Sequence, residues 1–296
     1  MRLVFVHAHP DDESLWTGLA IAHHAARGDD VHVLTCTLGE EGEVIPAELR
    51  HLQLPADQPR AVDAADPLAD LRRDELHSAV KELGVSTVTV LADGAYRDSG
   101  MAGTPSAAHP RAFAGADLAV SSDAVAAYLR AAEPDIVVTY DAHGGYGHPD
   151  HIRTHQATAA AVASLPDRPA FYTVVTPRSW AVEDRAWLAI HATRPEVVVP
   201  APDETFLPSV VDDAAVTHTV VDGAALERQV AALQRHRTQV SVYDGYYTLS
   251  NNVATRLAAR EAFQRIDPGS GSRWLSRRSS CGIRGWSRER AADERA

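Results

Sequence analysis

Short apolar runs alternate along the chain with segments whose apolar residues recur at helical spacing. "LVFV" (3–6) is apolar at every position, the pattern of a strand buried on both faces. "LWTGLAIAHHAARG" (15–28) then reads as a helix closed by Gly28, and "VHVLTCT" (31–37) as a second strand leading into the polar loop "LGEEGEV". Apolar spacing predicts a helix over "LADLRRDELHSAVKELGV" (68–85), ending at Gly84, before the strand "STVTVL" (86–91). A helix over 121–134, with Ser/Asp at its start and Pro at its stop, precedes the strand "DIVVTY" (135–140). "HPDHIRTHQATAAAVASL" (148–165) is a further helix and "AFYTVV" (170–175) a further strand. Such alternation predicts an α/β protein whose mostly parallel sheet carries helices on both faces.

The last third is less regular, with a strand expected in "AVTHTVV" and a helix in "GAALERQVAALQRHRTQV". No Pro/Gly/Ser-rich linker sets this part off, so residues 1–266 are expected to form one Rossmann-like domain. From Asp267 onward the composition shifts to Gly, Ser and Arg. That character predicts a flexible tail over 267–296, with Trp274 and Trp286 as docking points.

Hydrophobic residues make up 45% of the chain and charged residues 23%, as in an ordinary globular protein. No stretch approaches the ~20 apolar residues that span a bilayer. "MRLVFVHAHPDD" lacks a secretory h-region, which predicts a cytoplasmic protein. A net charge of −12 opposes binding to nucleic acid or anionic membrane, and homo-oligomerisation stays open. The two cysteines, Cys36 and Cys281, are too far apart in sequence to form a metal knuckle, so any metal must be held by His and carboxylate.

Two elements supply such ligands. "HAHPDDES" (7–14) follows the first strand, and "YGHPDHIRTH" (146–155) follows "DIVVTY" across a short loop. Either alone is equally well a plain helix start, since Pro suits the first helical position and acids complement the dipole. Both, however, lie at the C-terminal ends of predicted parallel strands, where open α/β sheets bind ligands. Together they hold the parts of a hydrolytic metal site: imidazoles, a carboxylate ligand and a spare carboxylate as base. Adjacent Asp11 and Asp12 diverge, so one is expected to bind metal and the other to face water. His9 reaches the same ion across the Pro10 turn. His148 and His151 share one helix face, and spacing does not decide between them, with His155 a further candidate. The glycine-rich dinucleotide fingerprint, the P-loop and the Gly-x-Ser-x-Gly elbow are all absent.

"VHAHPDDES", "VHVLTCTLGEEGEV", "YRDSGMAG", "GGYGHPDH" and "LSNN" resemble, in order over roughly residues 1–255, the LmbE-like or PIG-L family of zinc-dependent N-acetylglucosamine deacetylases. The likeness is greatest to the mycothiol-pathway branch. It implies hydrolysis of the acetamide of an acetylglucosaminyl-inositol pseudodisaccharide, with release of acetate. It also implies one zinc, or ferrous iron, held by His9, Asp12 and His151, with Asp11 as general base. His148 would assist the tetrahedral intermediate, oriented by Asp150, and Tyr146 would stabilise the oxyanion. Glu43, Arg72 and Asp98 match positions that contact sugar and inositol hydroxyls, and Met101 one that lines the acetyl pocket. His236 in "HRTQ" matches a supporting loop of the family. The competing expectations are a mycothiol S-conjugate amidase and a metal-dependent sugar-binding protein without catalysis.

Overall fold

The structure is a computed structural model and describes residues 1–55 and 66–267. The Arg-rich segment with Trp274 and Trp286 lies outside the described residues, as does Cys281. In chain order the first half comprises β1 (Arg2–His7), α1 (Asp12–Trp16), α2 (Gly18–Ala26), β2 (Asp30–Thr35), α3 (Pro67–Leu83), β3 (Thr87–Val90), α4 (Leu118–Ala132) and β4 (Ile136–Tyr140). Then follow the short turn α5 (Gly144–Gly147), α6 (Pro149–Ser164), β5 (Ala170–Pro177), α7 (Arg178–His191), β6 (Val210–Val211), β7 (His218–Val221) and α8 (Gly223–Leu233). The two-residue strand β8 (Ser241–Val242), β9 (Tyr246–Thr248) and β10 (Thr255–Arg256) form a small antiparallel sheet, and β11 (Arg260–Ile266) ends the described chain.

The main sheet runs β3-β2-β1-β4-β5-β11-β7, with β6 added beside β5. Its first five strands are parallel, and β11 is antiparallel to both neighbours. Alternation along β1 shows why helices are needed on both faces. Leu3 and Phe5 join Leu19, Ile21, Leu76, Leu83 and Ala232, from α2, α3 and α8, in one core. Val4 and Val6 join Val125, Leu129, Ala157 and Val162, from α4 and α6, in the other. Fully burying a side chain such as Leu76 contributes about 1.5–3 kcal/mol.

Helix boundaries follow local chemistry. Asp66 caps α3 by accepting from Ala69 N, Pro67 occupies the first turn, and Gly84 closes the helix at φ 81°. The helix expected from Ser121 starts earlier, at Leu118, because the Asp117 side chain accepts from Ala119 N. The single helix expected over 15–28 is two, broken at Thr17 (φ −139°, ψ 15°). The helix expected over 223–240 stops at Leu233, and turns follow it that bring His236 to Glu13 and Thr238 to Glu75. Strand β11 and helix α7 were not foreseen. "REAFQRI" has no alternating pattern, yet it lies inside the sheet and its Glu261 accepts from Leu19 N and Ala20 N at the start of α2.

What positions the site is the β1–β4 pairing. Leu3, Val4 and Phe5 sit in parallel register with Ile136, Val137 and Val138, so the segments after both strands leave the same edge. Tyr140 Oη accepts from Ala8 N at 2.9 Å and its ring stacks on His151 at 4.2 Å, which ties the two exits together.

Candidate active site

His9 leaves the end of β1, while Asp12 opens α1 and His151 stands in the first turn of α6. His9 Nδ1, Asp12 Oδ2 and His151 Nε2 each lie 3.3 Å from the other two. A tetrahedral ion with ~2.0–2.1 Å bonds requires donor separations of about 3.3–3.4 Å. All three side chains are buried, and the donor set of two imidazoles and one carboxylate suits a divalent metal. These residues therefore fit a metal ion, and the chain contains a His/Asp metal-binding group.

The far side of the His9 ring meets two more carboxylates, Asp150 Oδ2 at 3.3 Å and Asp98 Oδ1 at 3.5 Å from Nε2. Asp150 also accepts from Ser99 N, Ser99 Oγ and Ala114 N at 2.5–2.9 Å. These bonds hold the Asp150 carboxylate in place beside the His9 ring. The Asp150 carboxylate, expected beside His148, faces His9. Asp150 meets His148 through its backbone N–H, which donates to Nδ1 at 3.1 Å.

That bond sets the His148 tautomer. With Nδ1 accepting, the proton of the neutral ring is on Nε2. Burial, reinforced by the nearby His9 ring, pushes the pKa of His148 down to about 3, so the ring is uncharged at neutral pH. His148 also caps α6, and its ring lies 4.7 Å from that of His9 and 5.1 Å from that of His151.

The two aspartates diverge. Asp12 faces the imidazoles, and their attraction holds its carboxyl well below the usual range against the opposing effect of burial. Asp11 is paired instead with Arg72, whose Nη2 donates to Oδ2 at 3.0 Å. Burial pushes the Asp11 pKa up to about 7 against the pull of Arg72. Its backbone adopts φ 118°, ψ −32°, far from the regions open to a side-chain-bearing residue.

The four expected substrate contacts separate into two pairs. Glu43 and Met101 are exposed on loops. Arg72 and Asp98 are buried and engaged with protein groups. Besides Asp11, Arg72 donates to Pro10 O and Gly39 O, both at 2.5 Å. A Cβ on Gly39 (φ 66°) would lie 2.0 Å from the Arg72 guanidinium, so only glycine lets Arg72 pass. Burial pushes the Asp98 carboxyl up, but the His9 and His148 rings and the Gly100 N–H hold it well below its ordinary value.

Tyr146 is 43% exposed and lies parallel to Trp16, ring centres 6.5 Å apart, with its own ring 5.1 Å from His151. His155 bonds Tyr140 O through Nδ1, away from the donor triangle, and His143 is exposed. Sequence reasoning missed Ser99 and Ala114, whose contribution is largely backbone N–H groups and leaves no signature. It also missed the contact between Glu13 and His236, although "HPDDE" and "HRTQ" both carried a signal.

Two imidazoles and a carboxylate at a parallel sheet edge, with a second carboxylate next in sequence, define the site of a metal-dependent hydrolase. Residues 4–162 match the PIG-L family, GlcNAc-PI de-N-acetylase. A protein of Actinosynnema mirum, named 1D-myo-inositol 2-acetamido-2-deoxy-alpha-D-glucopyranoside deacetylase, is 46% identical over 268 residues, spanning 88% of this chain and 90% of its own. One of the same name from Rhodococcus jostii is 44% identical over 292 residues, spanning 92% and 94%. The chain belongs to the PIG-L family. Its fold is similar to that of a deacetylase triple mutant from teicoplanin biosynthesis, with a TM-score of 0.50 at 18% identity over 90% of this chain and 99% of that one.

Proposed function

We propose that the chain hydrolyses the acetamide of 1D-myo-inositol 2-acetamido-2-deoxy-α-D-glucopyranoside, releasing acetate and the free glucosaminyl-inositol in mycothiol biosynthesis. The observation that carries this reading is the triangle of His9, Asp12 and His151 with the buried, Arg72-paired Asp11 beside it in sequence, in a chain 41–46% identical to deacetylases of that name. His9, Asp12 and His151 would hold zinc, although the same donor set admits ferrous iron. When bound, such an ion lowers the pKa of water toward ~7 and polarises the amide carbonyl.

The chain's own residues do the rest. Asp11, with a pKa near neutrality, accepts the proton of the attacking water and returns it to the departing amine. His148 is uncharged and carries its proton on Nε2, so it acts as a hydrogen-bond donor to the oxygen on which charge develops. The Tyr146 hydroxyl, on a turn bounded by Gly145 and Gly147, supplies a second such donor. Asp150 fixes the His9 ring and Arg72 fixes Asp11. Glu43 and Met101, on exposed loops, are the members of the expected set free to meet inositol hydroxyls and the acetyl methyl.

The test measures acetate release from acetylglucosaminyl-inositol beside amine release from bimane-labelled mycothiol. Acetate release should dominate, vanish on chelation and return with zinc, or with ferrous iron under anaerobic conditions. Asp11→Ala should lower turnover about 10²–10⁴-fold while keeping one metal per chain. Faster amine release from the conjugate would identify an amidase instead. Tight sugar binding without acetate would identify a binding protein.

A further inference from the structure

Asp11 holds a backbone conformation (φ 118°, ψ −32°) that persists only where surrounding groups impose it. Glu13 is positioned to impose it. Its Oε2 accepts the Asp11 backbone N–H at 3.0 Å, while Oε1 accepts from Ser14 Oγ at 2.6 Å and from His236 Nε2 at 2.7 Å. Neither the Glu13 nor the His236 side chain has any exposed surface. A carboxylate at that depth is tolerated only where its charge and lone pairs are met, and these three donors meet them. His236 is in turn fixed by its own turn. Gln239 N and Val240 N bond His236 O, and the neighbouring Thr238 donates through N and Oγ1 to buried Glu75 of α3 at 3.0 and 2.5 Å.

We propose that Glu13 is a positioning residue: with His236 as its hydrogen-bond partner, it grips the Asp11 backbone and so fixes where the Asp11 carboxylate points. The proposal rests on the reading of Asp11 as the proton acceptor. It gives one task to two motifs 223 residues apart, the final acid of "HPDDE" and the histidine of "HRTQ". The Glu13 carboxylate bonds none of the three donor side chains of the triangle and acts through its neighbour. Released from this bond, Asp11 relaxes toward an ordinary φ and swings its carboxylate, and a displacement of ~1 Å in a catalytic group costs about 10²-fold in rate.

The experiment uses metal-loaded enzyme, acetate release and metal analysis. Glu13→Ala offers the Asp11 N–H no acceptor, whereas Glu13→Gln keeps one oxygen for it. The expected result is a kcat about 10²-fold lower in Glu13→Ala, with KM little changed and one metal per chain, and recovery of most of that loss in Glu13→Gln. If Glu13→Ala does not fold, Glu13→Leu/His236→Leu removes both buried polar groups together and carries the same expectation. Added to Asp11→Ala, the Glu13 substitution should lower the residual rate no further. A Glu13→Ala kcat near that of the parent enzyme, loss of metal, or equal losses in the Gln and Ala variants would overturn the proposal. Turnover retained by Asp11→Ala would overturn the proton-acceptor reading itself. Inactive Asp11→Ala beside fully active Glu13→Ala would overturn only the proposal made here.

Discussion

Arg72→Met removes a guanidinium that is 3% exposed and donates to Asp11 Oδ2, Pro10 O and Gly39 O. Methionine keeps most of the stem and supplies none of the donors. Two carbonyls and a carboxylate then lose their partner, and breaking a buried ion pair in this way costs about 3–5 kcal/mol. For a chain of this size a loss of 1 kcal/mol lowers Tm by roughly 2–4 °C, so a drop on the order of 10 °C is expected. The kinetic effect has a definite sign. Burial raises the Asp11 pKa and Arg72 lowers it, so losing Arg72 raises it further from about 7. A charge-assisted hydrogen bond contributes about 1.5–3 kcal/mol, which moves the acidic limb of the kcat/KM profile upward by about one to two pH units. Calorimetry and a pH–rate profile with acetate detection measure both. If Tm and the acidic limb stay in place while KM alone rises, Arg72 touches sugar rather than Asp11 and the reasoning fails.

Two further outcomes follow from the same geometry. Burial pushes the pKa of His7 down to about 4 from an ordinary 6.5. Its neutral form is therefore favoured in the fold, giving stability that is complete above pH 6.5 and lost as pH falls through 4, about 3 kcal/mol in all. Urea midpoints of His7→Leu should accordingly decline less steeply over that range than those of the parent, and parallel declines would contradict it. Gly145→Ala would place a Cβ 2.4 Å from Trp16 Cη2 at φ 72°. This backbone strain alone is of order 1–3 kcal/mol, so a lower urea midpoint and a reduced kcat, from displacement of Tyr146, are expected. An unchanged midpoint would show that the turn relaxes freely.

The parallel half of the sheet was legible because β1, β2, β4 and β5 are dense apolar runs, each fitted to a doubly covered position. The two His-Pro-Asp elements were legible because their chemistry is carried by side chains close in sequence. Other parts left no local trace. Strand β11 is held by pairing with β5 and β7 rather than by its own pattern. The divergence of Asp11 and Asp12 was expected from backbone geometry, but the partner of Asp11 was not. Arg72 reads as one of two adjacent arginines on a helix, and only the approach of Gly39 and Pro10 shows that it is buried. The resemblance placed Asp150 with His148, two residues away, whereas the fold also brings His9 to its carboxylate across 141 residues.

The place of β11 bears on how the protein is made. It is the last described strand in the chain but sits inside the sheet, between β5 and β7. During synthesis, which proceeds from the N-terminus at about 5–20 residues per second, β1 to β5 can pair as they emerge. Strand β7 has no partner until β11 appears, and β5 presents an open edge for that interval. Such an edge is a template for pairing with another chain. Nascent or truncated forms ending before Arg260 should therefore be the species most prone to aggregate, even though they already contain every donor of the metal triangle.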